Sequence, residues 1–306
     1  MTSALSAPGK PPQIDSYRLG SPGLRQHVAE NASAPDRDRP LVSVVTVVYN
    51  GVRTLERTIR SIVEQDYRPI EYIIIDGGST DGSLDVVARF RDHIAACISE
   101  PDEGIYDAMN KGIAAASGEI VGLLNSDDCY AAGAISSIVA LAKDNPGADI
   151  LYGNAILRTP GRPDLLIRPP TPLRASDFWH NPIPHPAMFV TRACYERCGL
   201  YRTSLKVLAD YDLLMRSYDS GARFASVDAL LAVAEAGGFS YKQRLTAAAE
   251  YRYVMGQRSA RWNVRARLHL NIARSLVVWA AEGSLPLRAV LGAYRHVKDR
   301  LGDHEA

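Results

Sequence analysis

The sequence predicts an α/β protein built on an open, largely parallel sheet with helices on both faces, and three features carry that prediction. Apolar, β-branched runs with little polar alternation recur at 41–49, 71–76 and 119–125, as strands covered on both faces require. Segments with apolar residues at helical spacing separate them, which gives strand-helix-strand units and hence parallel pairing. The runs end in Asn, Asp, Gly or Ser, at the carboxyl edge where open α/β sheets bind ligands.

Residues 1–38 are rich in Pro, Ser, Ala and Gly without an apolar period, so a flexible leader is expected there. Order begins at Pro40, and LVSVVTVVY (41–49) is the first strand, closed by Asn50-Gly51. Leu55, Ile59, Ile62 and Val63 share one face of the next helix, and EYIIID (71–76) is the second strand. A helix over 84–90, a short strand over 94–98 and a helix with Ile105, Met109, Ile113 and Ala116 on its apolar face come next, before EIVGLLN (119–125). Beyond a helix near 131–143, short β-like runs (ADILYGNAIL, AMFV, FASVDALLAVAE) alternate with Pro-rich loops and a helix near 210–219. From about Lys242 the pattern is helical and basic. Between Tyr251 and Arg300 ten Lys or Arg face only Glu282 and Asp299.

A chain of 306 residues with 46% apolar and 23% charged residues can bury a sizeable core. Its net charge of +1 gives no global preference for nucleic acid. Cys97, Cys129, Cys194 and Cys198 form neither CxxC nor a zinc pattern, and are expected to be reduced and to act as small apolar residues. The first residues lack a basic head followed by an apolar run, and no apolar stretch reaches the roughly 18 residues of a membrane span. The chemistry is therefore expected in the cytoplasm or peripherally on the inner membrane face.

The strand ends hold the candidate chemistry. No GxGxxG follows the first strand and no GxxxxGK[ST] exists, so both common nucleotide motifs are absent. The second strand ends Asp76-Gly77-Gly78-Ser79-Thr80-Asp81-Gly82-Ser83. Its carboxylate can accept hydrogen bonds from a base or ribose, or the segment can simply shape a tight turn. Asp107, Asn110 and Lys111 share one side of a helix, with Lys111 either meeting a phosphate or solvated. The fourth strand ends Asn125-Ser126-Asp127-Asp128. Adjacent carboxylates at a buried strand end repel and lose hydration, a cost that Mg2+ or Mn2+ can offset; the competing role is helix capping by Asp128. His185, between Pro184 and Pro186, can ligate a metal, bond a phosphate or pack, and Trp179 and His180 can meet an acceptor sugar or serve the core.

Together VSVVTVVYNG, EYIIIDGGSTDGS, DEGIYDAMNKGIAAASGEIVGLLNSDD and LADYDLLMR resemble the family-2 glycosyltransferases of GT-A fold, a Rossmann-like mixed sheet flanked by helices, over roughly residues 41–240. With the composition of the flanking segments, this divides the chain into a leader at 1–38, a catalytic domain at 39–240 (nucleotide half 41–128, acceptor half 129–240) and a basic helical extension at 241–306. The resemblance implies a base and ribose pocket lined by Thr46, Val48, Asn50 and Asp76, and an Asp-x-Asp-like element for metal and diphosphate. Here the first carboxylate of that element is Asn125, so the implied metal ligand is Asp127, with Ser126 and Asp128 facing the nucleotide sugar. The implied general base is Asp210; Asp212, two residues on, points elsewhere and stabilises the helix start.

The resemblance further implies inverting transfer from a nucleotide-diphosphate sugar, UDP-linked by preference, to a hydroxyl of a saccharide or lipid-linked acceptor in surface polysaccharide or glycolipid assembly. A nucleotidyltransferase would normally show a Gly-rich phosphate loop where Val47-Val48-Tyr49-Asn50 stands, and a non-catalytic relative would not need Asp127, Asp128 and Asp210 together. The basic segment suits two roles: an interfacial helix inserting Leu268, Ile272, Leu276, Val277 and Trp279 into a membrane surface, or a docked helical cap.

Overall fold

A computed structural model describes residues 39–236 and 243–257; the leader at 1–38 and the extension from 258 onward, including the proposed membrane-facing residues, lie outside the described residues. The strands are β1 (Val42–Val48), β2 (Ile70–Asp76), β3 (Ala96–Ser99), β4 (Ile120–Asn125), β5 (Cys129–Tyr130), β6 (Ile150–Arg158), β7 (Leu165–Ile167), β8 (Met188–Thr191) and β9 (Phe224–Glu235). They form one sheet in the order β3-β2-β1-β4-β8-β6-β9-β5, with β7 paired to β6. β3, β2, β1 and β4 run parallel, as the strand-helix-strand repeats require. β8 joins β4 antiparallel, so the sheet as a whole is mixed.

All seven residues of β1 are buried, and alternate side chains serve opposite faces. Val44 and Val48 pack with α1 (Leu55–Val63), α2 (Ser83–Arg89) and α4 (Ala134–Asp144). Val45 and Val47 pack with α3 (Ile105–Ala115), α5 (Arg192–Cys198), α6 (Ala209–Asp219) and α7 (Arg244–Gly256). Each fully buried aliphatic contributes roughly 1.5–3 kcal/mol, so this three-layer arrangement holds the parallel strand ends rigidly. α3 comes especially close: a Cβ on Gly112 would collide with the side chain of Val45.

The departures from expectation are local. β3 begins at Ala96 because Arg91–His93 closes a 3-10 turn before it. The sequence pattern does not predict β7, which is three residues long with Leu165 and Leu166 exposed. The described start of the basic extension is docked on the domain. Tyr251 of α7 stacks on Tyr211 at 5.8 Å between ring centroids, and Val254 and Met255 join the core.

Candidate active site

Parallel pairing brings the strand ends level: Val47 lies beside Asn125, Val48 beside Asp76, and Asp76 beside Ser99. Because β8 is antiparallel to β4, the segment before it, carrying Asn181 and His185, enters from the same edge.

At the β2 end, the residues expected to meet base and ribose are held by internal hydrogen bonds and packing. Asp76 is fully buried, and its carboxylate accepts hydrogen bonds from Gly78 N at 3.2 Å, Ser79 N at 3.0 Å and Ser99 Oγ at 2.7 Å. It fastens its own turn. Thr46 is likewise fully buried, its Oγ1 accepting from Tyr72 OH at 3.1 Å, and Val48 lies in the core. The even-numbered side chains of β1 point into the layer of α1, α2 and α4. Asn50 is exposed, takes a left-handed φ of 51°, and accepts Thr80 N through Oδ1 at 2.9 Å.

Sequence reasoning missed the neighbour, Tyr49, which is 68% exposed. A Cβ on Gly77 would sit 3.5 Å from the Tyr49 ring and would collide with Asp102 Oδ2. Glycine therefore lets the Asp102 carboxylate and the Tyr49 ring approach the backbone at this turn. The available signal was an aromatic residue at the end of a β-branched run.

The β4 end is different. Asn125 Nδ2 donates to Asp128 Oδ2 at 3.3 Å, while Asn125 Oδ1 is buried and without a partner. Asp128 is buried and accepts Glu235 N at 3.2 Å; burial, then the charge of Asp127, pushes its pKa up to about 7. Burial also raises the pKa of Asp127. The backbone of the turn is clamped from α1. Arg57 donates to Asp127 O at 2.8 Å, and Thr58 Oγ1 lies 2.9 Å from Ser126 O and 2.7 Å from Asp128 O. A rigid turn thus presents carboxylates disfavoured as anions beside an unmatched oxygen.

That donor set fits a hard divalent cation, which prefers oxygen ligands and draws the rest of its shell from phosphates and water. Among the described residues no group of three or more His, Cys, Asp or Glu could hold such an ion by itself.

On the acceptor side, Asp210 stands in the first turn of α6. Its Oδ2 accepts Asn181 Nδ2 at 2.7 Å, and its Oδ1 accepts Tyr211 N at 2.8 Å and Tyr106 OH at 3.3 Å. Burial raises its pKa. Burial lowers that of His185, while the Asp210 charge pulls it upward. His185 Nε2 lies 3.4 Å from Tyr201 OH. Asn110 grips Tyr201 by both backbone groups, N to Oδ1 at 3.0 Å and Nδ2 to O at 2.8 Å. Asp212 is buried away from this cluster and bridges Arg202 at 3.0 Å and Arg216 at 2.8 Å. That bridging goes beyond simple stabilisation of the helix start.

Lys111 is held by internal partners. Its ammonium is buried against Glu100 at 2.8 Å, Pro101 O at 3.0 Å and Asp107 at 3.5 Å. It ties down the loop after β3, where the sequence leaves phosphate contact open. His180 is exposed, and the Trp179 side chain lies outside the described residues. Ser126 abuts Gly51, two residues from Tyr49. Asp102 Oδ1 accepts Gly104 N at 2.8 Å, and Lys206, four residues before Asp210, donates through Nζ to Glu103 O at 3.0 Å.

Comparisons with known proteins agree with this architecture. The sequence model described as Glycosyl transferase family 2 matches residues 43–198. An uncharacterized glycosyltransferase of Mycobacterium tuberculosis is 34% identical over 183 residues, covering 58% of this chain and 69% of the relative. A PGL/p-HBAD biosynthesis glycosyltransferase of Mycobacterium bovis is 29% identical over 192 residues, covering 60% and 72%. Among solved structures, the mannosyltransferase from Pyrobaculum calidifontis in complex with GDP-Man and Mn2+ superposes with a TM-score of 0.60 at 25% identity, over 86% of this chain and 82% of that one. S. aureus TarS 1-349 in complex with UDP-GlcNAc gives 0.58 at 19% identity, over 70% of this chain and 64% of the TarS chain.

Proposed function

Because the chain belongs to glycosyl transferase family 2 and has the GT-A architecture, we propose that it is an inverting, metal-dependent glycosyltransferase that moves a sugar from a nucleotide diphosphate to an acceptor hydroxyl. One observation carries this reading: the under-satisfied Asn125–Asp128 turn and the buried Asp210, held by Asn181 from the segment that enters β8, lie at the same carboxyl edge of the parallel strands. The first suits a diphosphate and its cation; the second suits an acceptor hydroxyl.

The nucleobase lies against the exposed Tyr49 ring, and Asn50 borders the ribose. Asp127 would hold the cation, beside the unpartnered Asn125 Oδ1, and Ser126 and Asp128 would face the donor sugar. When bound, Mg2+ or Mn2+ supplies charge neutralisation for the departing diphosphate. Asp210 accepts the proton of the acceptor hydroxyl as its oxygen forms the bond to the anomeric carbon and the nucleoside diphosphate leaves from the opposite face. Asn181 and Tyr106 aim that carboxylate, and His185 lies beside it. Displacement from the opposite face inverts the anomeric centre.

UDP-sugars are the first donors to test, with GDP-mannose the alternative that the Pyrobaculum complex suggests. The acceptor we propose is a saccharide or lipid-linked hydroxyl in polysaccharide or glycolipid assembly, in keeping with a relative named for PGL/p-HBAD biosynthesis. Among the described residues no helix is long and apolar enough to cross a membrane. Contact with a membrane surface is assigned to the basic extension beyond residue 257, and co-sedimentation with anionic vesicles of the full chain, but not of a chain ending at Gly256, tests it.

The experiment for the reaction measures UDP and GDP release over a panel of nucleotide sugars, with and without Mn2+. One donor should be turned over with metal, and Asp210→Asn should cut the rate about 10²- to 10⁴-fold while leaving nucleotide binding intact. Near-normal turnover in Asp210→Asn would remove it as the base.

A further inference from the structure

Glu250 lies in α7, 40 residues beyond Asp210 and outside the stretch matched by the family's sequence model. Its carboxylate is buried and accepts three consecutive backbone N–H groups, those of Lys206 at 2.6 Å, Val207 at 2.9 Å and Leu208 at 2.9 Å. These are the residues that lead into α6. The first residues of a helix leave N–H groups without intrahelical partners, and a side chain at the cap position normally supplies an acceptor. Leu208, at that position, makes no side-chain cap bond. Glu250, from another helix, instead holds the turn that enters α6: it accepts the N–H of the cap residue Leu208 and, just before the helix, those of Val207 and Lys206, where a carboxylate is favoured by the helix dipole as well as by charge-assisted bonding.

The same turn is held from its other side. Tyr106 OH, which reaches Asp210, also lies 2.7 Å from Val207 O. Lys206 Nζ spans to Glu103 O. The 206–208 turn is thus anchored on both sides by residues distant in sequence. α7 is fixed in turn by the Tyr251–Tyr211 stack and by Tyr211 OH, which lies 3.3 Å from Met255 Sδ.

We infer that Glu250 is a positioning residue for Asp210, so that the C-terminal helix α7 is a working part of the catalytic site. This rests on Asp210 being the general base. Glu250 touches neither donor nor acceptor; it sets the start of α6 and thereby the aim of the carboxylate in its first turn. Misplacement of a reacting group by about 1 Å can cost on the order of 100-fold in rate without altering how the other substrate binds.

The test uses the full chain with Glu250→Gln, which keeps length and one acceptor oxygen but loses the charge, and Glu250→Asp, which keeps the charge but withdraws it by one methylene. Each is measured for kcat, for donor KM, for Mn2+-dependent UDP binding and again in an Asp210→Asn background. Both should lower kcat by about 10- to 100-fold with donor KM and UDP binding unchanged. Neither should lower the residual rate of Asp210→Asn further, because residues acting through one group are not additive. UDP binding reports a folded nucleotide half, so if one variant does not fold the other decides.

Wild-type kcat in the folded variants while Asp210→Asn is inactive would overturn the inference and leave the base in place. The same fractional loss in the Asp210→Asn background as in wild type would also overturn it, by showing that Glu250 acts independently. Wild-type turnover by Asp210→Asn itself would instead remove the base, and with it the inference.

Discussion

Two parallel strands of the same sheet end in acids, and the protein treats them in opposite ways. At the end of β2, Asp76 is fully buried and matched by Gly78 N, Ser79 N and Ser99 Oγ. At the end of β4, Asp127 and Asp128 are raised in pKa, and the adjoining Asn125 Oδ1 has no partner. Both segments offer oxygen at a place where α/β sheets bind ligands. The difference lies in the donors around them. A carboxylate satisfied by its own loop is scaffold, whereas oxygens left under-satisfied on a clamped backbone form a site for something that brings positive charge.

The largest expected effect contrasts the two directly. Asp127→Asn should leave the thermal midpoint near wild type but reduce metal-dependent turnover by roughly 10³-fold, since several kcal/mol of charge stabilisation depend on holding the cation. Asp76→Ala should do the reverse. It strands buried donors at about 1–3 kcal/mol each, so the melting temperature falls markedly while turnover per folded molecule stays comparatively high. A thermal melt and a rate measurement on each variant check the pair.

The next effect is one of pH. The folded-state pKa of Asp128 stands near 7, above the roughly 3.9 of an unfolded carboxylate. The folded chain therefore retains a proton that the unfolded chain has released. The stability this contributes is complete below about pH 4 and is lost as pH rises through about 7. A dication favours the ionised form, so stabilisation by Mn2+ with UDP should grow between about pH 5 and pH 8. Melting curves with and without Mn2+ measure it, and Asp128→Asn should flatten the dependence. Asp210, also raised, is needed as the anion, so the acid limb of kcat should lie above the ordinary carboxylate range.

The smallest effect concerns Thr46. Thr46→Val removes the acceptor of Tyr72 OH and should cost about 1 kcal/mol of stability without changing donor KM. A raised KM would return Thr46 to the nucleotide pocket.

The parallel half of the fold was readable from sequence because strands buried on both faces leave continuous apolar runs, as β1 and β2 do. β7 left no such mark, being three residues long with two exposed leucines. The gathering of acids at the strand ends was legible too, but not the partners each of them finds there. Nothing local to Asp76 announces Ser99, which lies 23 residues away. Nothing local to Lys111 distinguishes a phosphate ligand from a loop anchor until Glu100 and Pro101 are in place. Glu250 was out of reach for the same reason, its partners lying 42 to 44 residues earlier in the chain.

The contrast between the two strand ends is tested most directly by calorimetric titration of UDP, with and without Mn2+, into wild type, Asp127→Asn and Asp76→Asn. Metal-dependent binding should vanish in Asp127→Asn and persist in folded Asp76→Asn. Wild-type, metal-dependent binding by Asp127→Asn, or its loss in a folded Asp76→Asn, would contradict the assignment of the β4 turn as the cation and diphosphate site.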